Sequence, residues 1–204
     1  MHLTTSQLFA RITTSSLLAI ASCSSFAQDT APQAIEPGLI QSTRAVATQM
    51  LTELGQKLKA AVSTDGPLAA VSVCKEVAPS LASTLSAQHG LQITRVGTRV
   101  RNSKIGIPNA WQKEALAKFE ERLQQGEKTA DLEYWQVAKN SSGQSELHYA
   151  KAIMVQPQCL ACHGTVQDIS APMAEKIKQE YPEDQATGYS VGKLRGAVVI
   201  TRPL

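Results

Sequence analysis

Electrostatic bias is what this sequence most plainly lacks. Its 20 Lys and Arg stand against 17 Asp and Glu, for a net charge of +3 and a pI near 8.7. That is too mild and too evenly spread to favour nucleic acid or an anionic membrane surface as partner. No internal repeat and no low-complexity tract is present, and 204 residues with 43% hydrophobic composition suit a single globular domain. No Ser/His/Asp grouping, no paired carboxylate at glycosidase-like spacing and no phosphate loop occurs, so the lone acids read as solvated surface and no enzymatic activity is expected. No apolar stretch is long enough to span a bilayer, so the processed chain is expected to carry no membrane helix.

What is present is Cys159-Leu160-Ala161-Cys162-His163, followed by Gly164. Two cysteines three apart with a histidine directly after the second form the attachment signal of c-type haem. Each thiol adds across one vinyl group to make a thioether, and the two intervening residues let both sulfurs reach one edge of the macrocycle. His163 then lies under the ring as proximal iron ligand. Three alternatives fit less well. A redox CxxC would not need His163 and should open a helix after a βαβ strand. Structural zinc needs a second ligand pair, and the chain has none. A disulfide across two residues would be strained. One covalent haem c on Cys159 and Cys162 is therefore expected.

The N-terminus has the form of an export signal. Arg11 is a short positive region, Ile12 to Ala21 a modest apolar core, and Ser25-Phe26-Ala27 carries small residues at both cleavage-determining positions. Cleavage after Ala27 makes residues 1–27 a signal peptide and places the chain in the periplasm. Ile20-Ala21-Ser22-Cys23 offers the competing reading of a lipoprotein anchored through Cys23. Export is also what covalent haem attachment requires.

Residues 28–40 read as a loose leader, with the domain occupying 41–204. A helix is expected from Ser42 to Asp65, with Met50, Leu54, Leu58 and Val62 among its buried stripe. A second runs from Pro67 to His89, kinked or broken near Ala78 by Pro79, with His89 a last-turn histidine before Gly90. Leu91 to Arg101 alternates as a strand. Asn109 to Gln112 has capping-box form and opens a helix to Gln125. Tyr134 to Ala138 and Leu147 to Val155 are strands around the turn at residues 140–143, the second presenting a small face of His148, Ala150, Ala152 and Met154 that suits a flat ligand. Ala171 to Glu180 is a short helix, Gly188 to Gly196 a turn region, and Ala197 to Thr201 the last strand. Hairpin-linked strands with helices before and between them argue for an α+β domain on an antiparallel sheet flanked by helices.

Cys74 is left over, a lone thiol in an oxidising compartment. It is either a buried small hydrophobe or an axial thiolate facing the open side of the ring. His148, Met154 and Met173 compete with it as second metal ligand. Arg95, Arg99 and Arg101 are candidates to neutralise haem propionates, or simply polar residues on a strand edge.

Several runs together resemble a family of bacterial single-haem c-type proteins, the Tll-like haem domain, long filed as a domain of unknown function. They are Ala69 to Cys74 leading to Ala78-Pro79, Arg101-Asn102, Pro108 to Trp111, Cys159 to Gly164, Tyr181 to Asp184 with Gly188-Tyr189, and Gly192 to Ala197. The resemblance covers residues 42–204 and implies a PAS-like fold. It also implies iron ligation by His163 and Cys74. The family usually continues Arg-Asn with Pro, where this chain has Ser103 and a loop through Ile107. The resemblance and the unusual thiolate point to a redox or small-ligand sensor, with CO or NO binding ferrous haem and a separate signalling protein as partner. The alternative is a soluble periplasmic electron carrier with a redox partner.

Overall fold

A computed structural model describes residue 2 and residues 35–129 and 132–204. The expected signal peptide, its cleavage site and Cys23 lie outside the described residues, as does most of the expected leader.

Helix α1 spans Pro37–Asp65. It begins at Pro37 rather than Ser42, inside the stretch expected to be loose. Proline at the first helical position has its dihedral preset and loses no hydrogen bond there, and Ile40 in the added turn is buried. The helix stops at Gly66, as its sequence requires. The next helical run is made of α2 (Ala69–Ser72), a π-turn (Val73–Val77) and α3 (Ala78–His89). Pro79 does not break it. Proline cannot donate to the carbonyl of Lys75, four residues back, and its ring crowds that carbonyl. The preceding turn widens instead, so that the Ala78 N–H bonds Val73 O five residues back, while Ala78 keeps helical dihedrals. α3 ends where Gly90 takes up a left-handed conformation (φ 63°), leaving His89 exposed in the last turn.

The strands are β1 (Gln92–Gly97), β2 (Glu133–Lys139), β3 (Ser145–Met154) and β4 (Leu194–Pro203), all antiparallel in the order β1-β4-β3-β2. β4 takes in Leu194 to Gly196, which by sequence pattern read as turn. Helix α4 (Ala110–Gln124) carries the expected capping box, with Asn109 and Gln112 satisfying each other's backbone N–H groups. α5 (Leu160–His163) and α6 (Ala171–Glu180) complete the chain order.

The α+β architecture is that of an antiparallel sheet with helices on both faces. On one face Ile93, Tyr149, Val198 and Ile200 pack against Val46, Met50 and Leu54 of α1 and Leu81 and Leu85 of α3. On the other, Val96, Ala150, Ala152, Ala197 and Val199 pack against Ala115, Leu116 and Phe119 of α4. Here the small face of β3 finds its purpose. Ala150 and Ala152 admit the Phe119 ring, and His148 stacks on Trp111 at 4.9 Å between ring centroids. Through His148, Ala150 and Ala152 that face meets a helix, not a flat ligand. Among the described residues no helix is long and apolar enough to cross a membrane.

Candidate functional site

The stretch 156–164 leaves β3 through an extended Gln156, turns through a 3₁₀ segment (Pro157–Cys159) and closes in the single turn of α5. Pro157 opens the turn and Gly164 ends it. A Cβ at Gly164 would stand 2.5 Å from Cβ of Asp168 and 2.7 Å from the Leu160 carbonyl oxygen, so no other residue fits after His163 without displacement.

A segment this short cannot hold itself, and residues distant in sequence hold it. Arg101 donates to the Cys162 carbonyl at 2.6 Å and forms a two-pronged pair with Asp184, at 3.1 and 3.0 Å. The two side chains are only 9% and 8% exposed, so the pair is desolvated and its geometry matters. Asp184 also accepts from the Ala186 N–H, and the Ala186 carbonyl accepts from Nδ1 of His163 at 2.7 Å. A carbonyl can only accept, so Nδ1 carries the proton and Nε2 is left with a free lone pair. Burial, reinforced by the nearby charges of Arg195 and Arg101, pushes the His163 pKa down to about 3, against the Ala186 bond which raises it. The imidazole is therefore neutral, as a metal ligand must be. Burial also pushes the Cys162 thiol up.

Cys159, Cys162 and His163 line a cavity of about 1080 Å³, and Cys74 lines it too, from the π-turn. The space lies at or beyond the upper end of the ~300–1,000 Å³ found for ordinary small-molecule sites. Leu51, Leu54, Leu58 and Val62 of α1 form part of its wall, which explains why the apolar stripe of α1 continues past the core and leaves Val62 37% exposed. The three described cysteines are free thiols, and Cys74 is half-buried rather than sealed in the core.

The rivals of Cys74 separate. His148 is not in the cavity lining. It lies on the opposite face of the sheet, against Trp111, with Nε2 at 3.3 Å from Glu146. Met154 and Met173 do line the cavity, and the Met173 sulfur is 3.7 Å from that of Cys162. The fold therefore leaves Cys74 and two methionines in contention, not a histidine. Around the motif, no group of three His, Cys, Asp or Glu side chains is gathered among the described residues, so a structural zinc site lacks its ligand set.

The arginines also sort themselves. Arg101 is committed to Asp184 and the Cys162 carbonyl. Arg99 bonds the Thr187 carbonyl and lies over the Tyr189 ring at 4.9 Å. Arg95 faces the cavity. So does Arg195, which sequence reasoning misses as a site residue because Gly188 to Gly196 reads as a turn. No periodicity signal could have found it, since its orientation depends on β4 pairing with β1 and β3.

Comparison with known proteins bears on the same region. A family model described as Tll0287-like matches residues 15–203. The solved structure described as the cyanobacterial heme-protein Tll0287 is similar, with a TM-score of 0.61 and 26% identity. The similarity covers 83% of this chain and 97% of that one. No curated protein matches the chain.

Proposed function

The chain belongs to the Tll0287-like family, and from that premise we propose that it is a periplasmic, single-haem c-type protein whose iron is held by His163 and Cys74 and which works as a redox or small-ligand sensor. One observation carries the reading: the complete attachment motif and a lone, half-buried thiol from a distant helix line one large cavity. The residues fit the group. Two thiols at the right spacing would make the thioethers, a neutral imidazole has a free Nε2, and the apolar walls exclude water from a flat macrocycle.

Bound haem supplies an iron centre that exchanges one electron and accepts small axial ligands. The rest is done by this chain. Cys159 and Cys162 tether the group, and the Arg101–Asp184 pair with the Ala186 carbonyl orients the imidazole. Cys74 offers a sulfur that, as thiolate, favours the oxidised state, whereas methionine raises the potential. If the Cys74 sulfur were held less firmly in the reduced protein than in the oxidised one, the chain would have the two states a sensor needs. The carrier reading finds support in the cavity's open rim, where the exposed Val62 and Ile105 would let a redox partner approach.

Acid–acetone extraction of protein exported by a host competent in haem attachment tests the first step. Haem is expected to stay with the polypeptide, and the mature chain to start at Gln28. Haem lost to the solvent would overturn the reading, and a lipid-modified start at Cys23 would make it an anchored protein. Ferric EPR with Cys74→Ala and His148→Ala tests the second step. Low-spin ferric haem is expected to persist in His148→Ala and to change in Cys74→Ala, with CO binding to the reduced wild type. A Cys74→Ala spectrum identical to wild type would move the protein toward the carrier reading.

A further inference from the structure

Charge in the cavity is one-sided. Its charged lining consists of Lys59, Arg95, Arg101 and Arg195, with no Asp or Glu among the lining residues. Lys59 is exposed, and Arg101 is neutralised by Asp184. Two interior guanidinium groups remain. Arg195 donates one N–H to the Arg99 carbonyl at 3.0 Å, but its Nε is buried with no partner. Arg95 has no carboxylate partner among the described residues; it projects from β1 toward the side occupied by Cys74 and Tyr181. Burial lowers the pKa of both, and Arg195 is also repelled by Arg101 and Arg95, against Tyr189 and Asp184, which raise it. Uncompensated buried charge is costly unless a ligand pairs with it.

We propose that Arg95 and Arg195 form a dicarboxylate subsite in the cavity, the place where the two propionate groups of the haem are held. The inference rests on the haem reading above. The match is one of number and of chemistry: two interior guanidinium groups, neither paired with a carboxylate among the described residues, for two carboxylates, with the buried Nε of Arg195 still free to donate. Held there, the propionates would fix the orientation in which the haem enters the cavity. Arg99 and Arg101, the neighbouring basic residues in the sequence, are excluded because backbone carbonyls and Asp184 already hold them.

The experiment is spectroelectrochemistry on the purified holoprotein, comparing wild type with Arg95→Gln, Arg195→Gln, the corresponding Lys variants, and Lys118→Gln on the far face of the sheet as control. Removing a positive charge beside the carboxylates favours ferric haem. Each Gln variant is expected to move the ferric-to-ferrous ratio at fixed poise by about tenfold toward ferric, a fall of about 59 mV for one electron. The Lys variants are expected to restore most of the wild-type ratio, and the control to match wild type. Gln variants within twofold of wild type overturn the proposal. So do Lys variants that shift as far as Gln, since shape would then matter and charge would not. Loss of the low-spin signal in Arg95→Gln with Arg195→Gln silent also overturns it, making Arg95 a partner of the Cys74 sulfur. Failure of the haem reading is separate: wild-type protein would then contain no covalent haem, before any variant is compared.

Discussion

At the scale of single residues, the Arg101–Asp184 pair is the most consequential interaction outside the motif. It is buried, two-pronged and shared with the Cys162 and Ala186 carbonyls, so it ties three separate stretches of chain to the histidine. Removing one partner leaves the other charged and desolvated. Asp184→Ala is therefore expected to cost about 3–5 kcal/mol in urea unfolding, and the double change Arg101→Met with Asp184→Leu to cost clearly less. Equal losses in the single and double variants would show that the pair's charges matter less than its shape. Phe119, fully buried against Ala150 and Ala152, gives a calibration for ordinary packing in the same domain, with about 3–5 kcal/mol expected for Phe119→Ala.

At the scale of elements, the π-turn at Val73–Val77 decides where the Cys74 sulfur points. One extra residue in a helical turn rotates the residues on its N-terminal side by about 100° relative to those on its C-terminal side. Pro79→Ala restores an N–H that can bond the Lys75 carbonyl, so the turn is expected to tighten to α geometry and turn Cys74 away from the cavity. Ferric EPR should then resemble that of Cys74→Ala, with far-UV CD unchanged. An unaltered low-spin spectrum would mean that packing, not proline, holds the turn open. A second tie between elements is the contact of Arg44 on α1 and Tyr149 on β3 with Glu133 on β2. The Arg44 hydrogen bond, helped by Tyr149, holds the Glu133 pKa below its ordinary value despite burial. A depressed carboxylate pKa adds stability above the unfolded value near 4.5 that is lost as pH falls below it. Glu133→Gln is expected to flatten the acid limb of a stability–pH curve below about pH 4.5, by under about 1 kcal/mol because Arg44 is partly exposed.

At the scale of the whole molecule, an open cavity of about 1080 Å³ sits between the helical layer and the motif segment. On the proposed haem reading, filling it would join α1, the π-turn and α5 through one rigid group and stabilise the folded state by linkage. The Cys159→Ser/Cys162→Ser protein is expected to melt well below the haem-loaded protein in CD, by about 2–4 °C for each kcal/mol lost in a domain of this size. Equal melting temperatures would mean that the cavity walls support themselves and that the group adds nothing to the fold.

Much of this architecture is legible in the chain itself. The Cys159 to His163 motif is local, because the proposed attachment needs two thiols and an imidazole within five residues. The Asn109–Gln112 capping box, the helix stop at Gly90 and the antiparallel hairpin are local as well, since each depends on neighbours a few positions apart. What the chain could not disclose is which surfaces meet. The small face of β3 suits a flat ligand as well as a helix, and only the packing of α4 makes it core. Pro79 signals a disturbance, but whether a helix breaks or widens depends on what packs around it. Arg101 reads in the chain as a strand-edge cation and Arg195 as part of a turn, and neither reading gives its partner. One is spent on Asp184, 83 residues away, and the other is left with an unpaired Nε in the cavity. Sequence spacing reports contacts along a helix turn or a strand, whereas the partners of buried charges are chosen by the tertiary fold, which brings together groups that share no pattern in the chain.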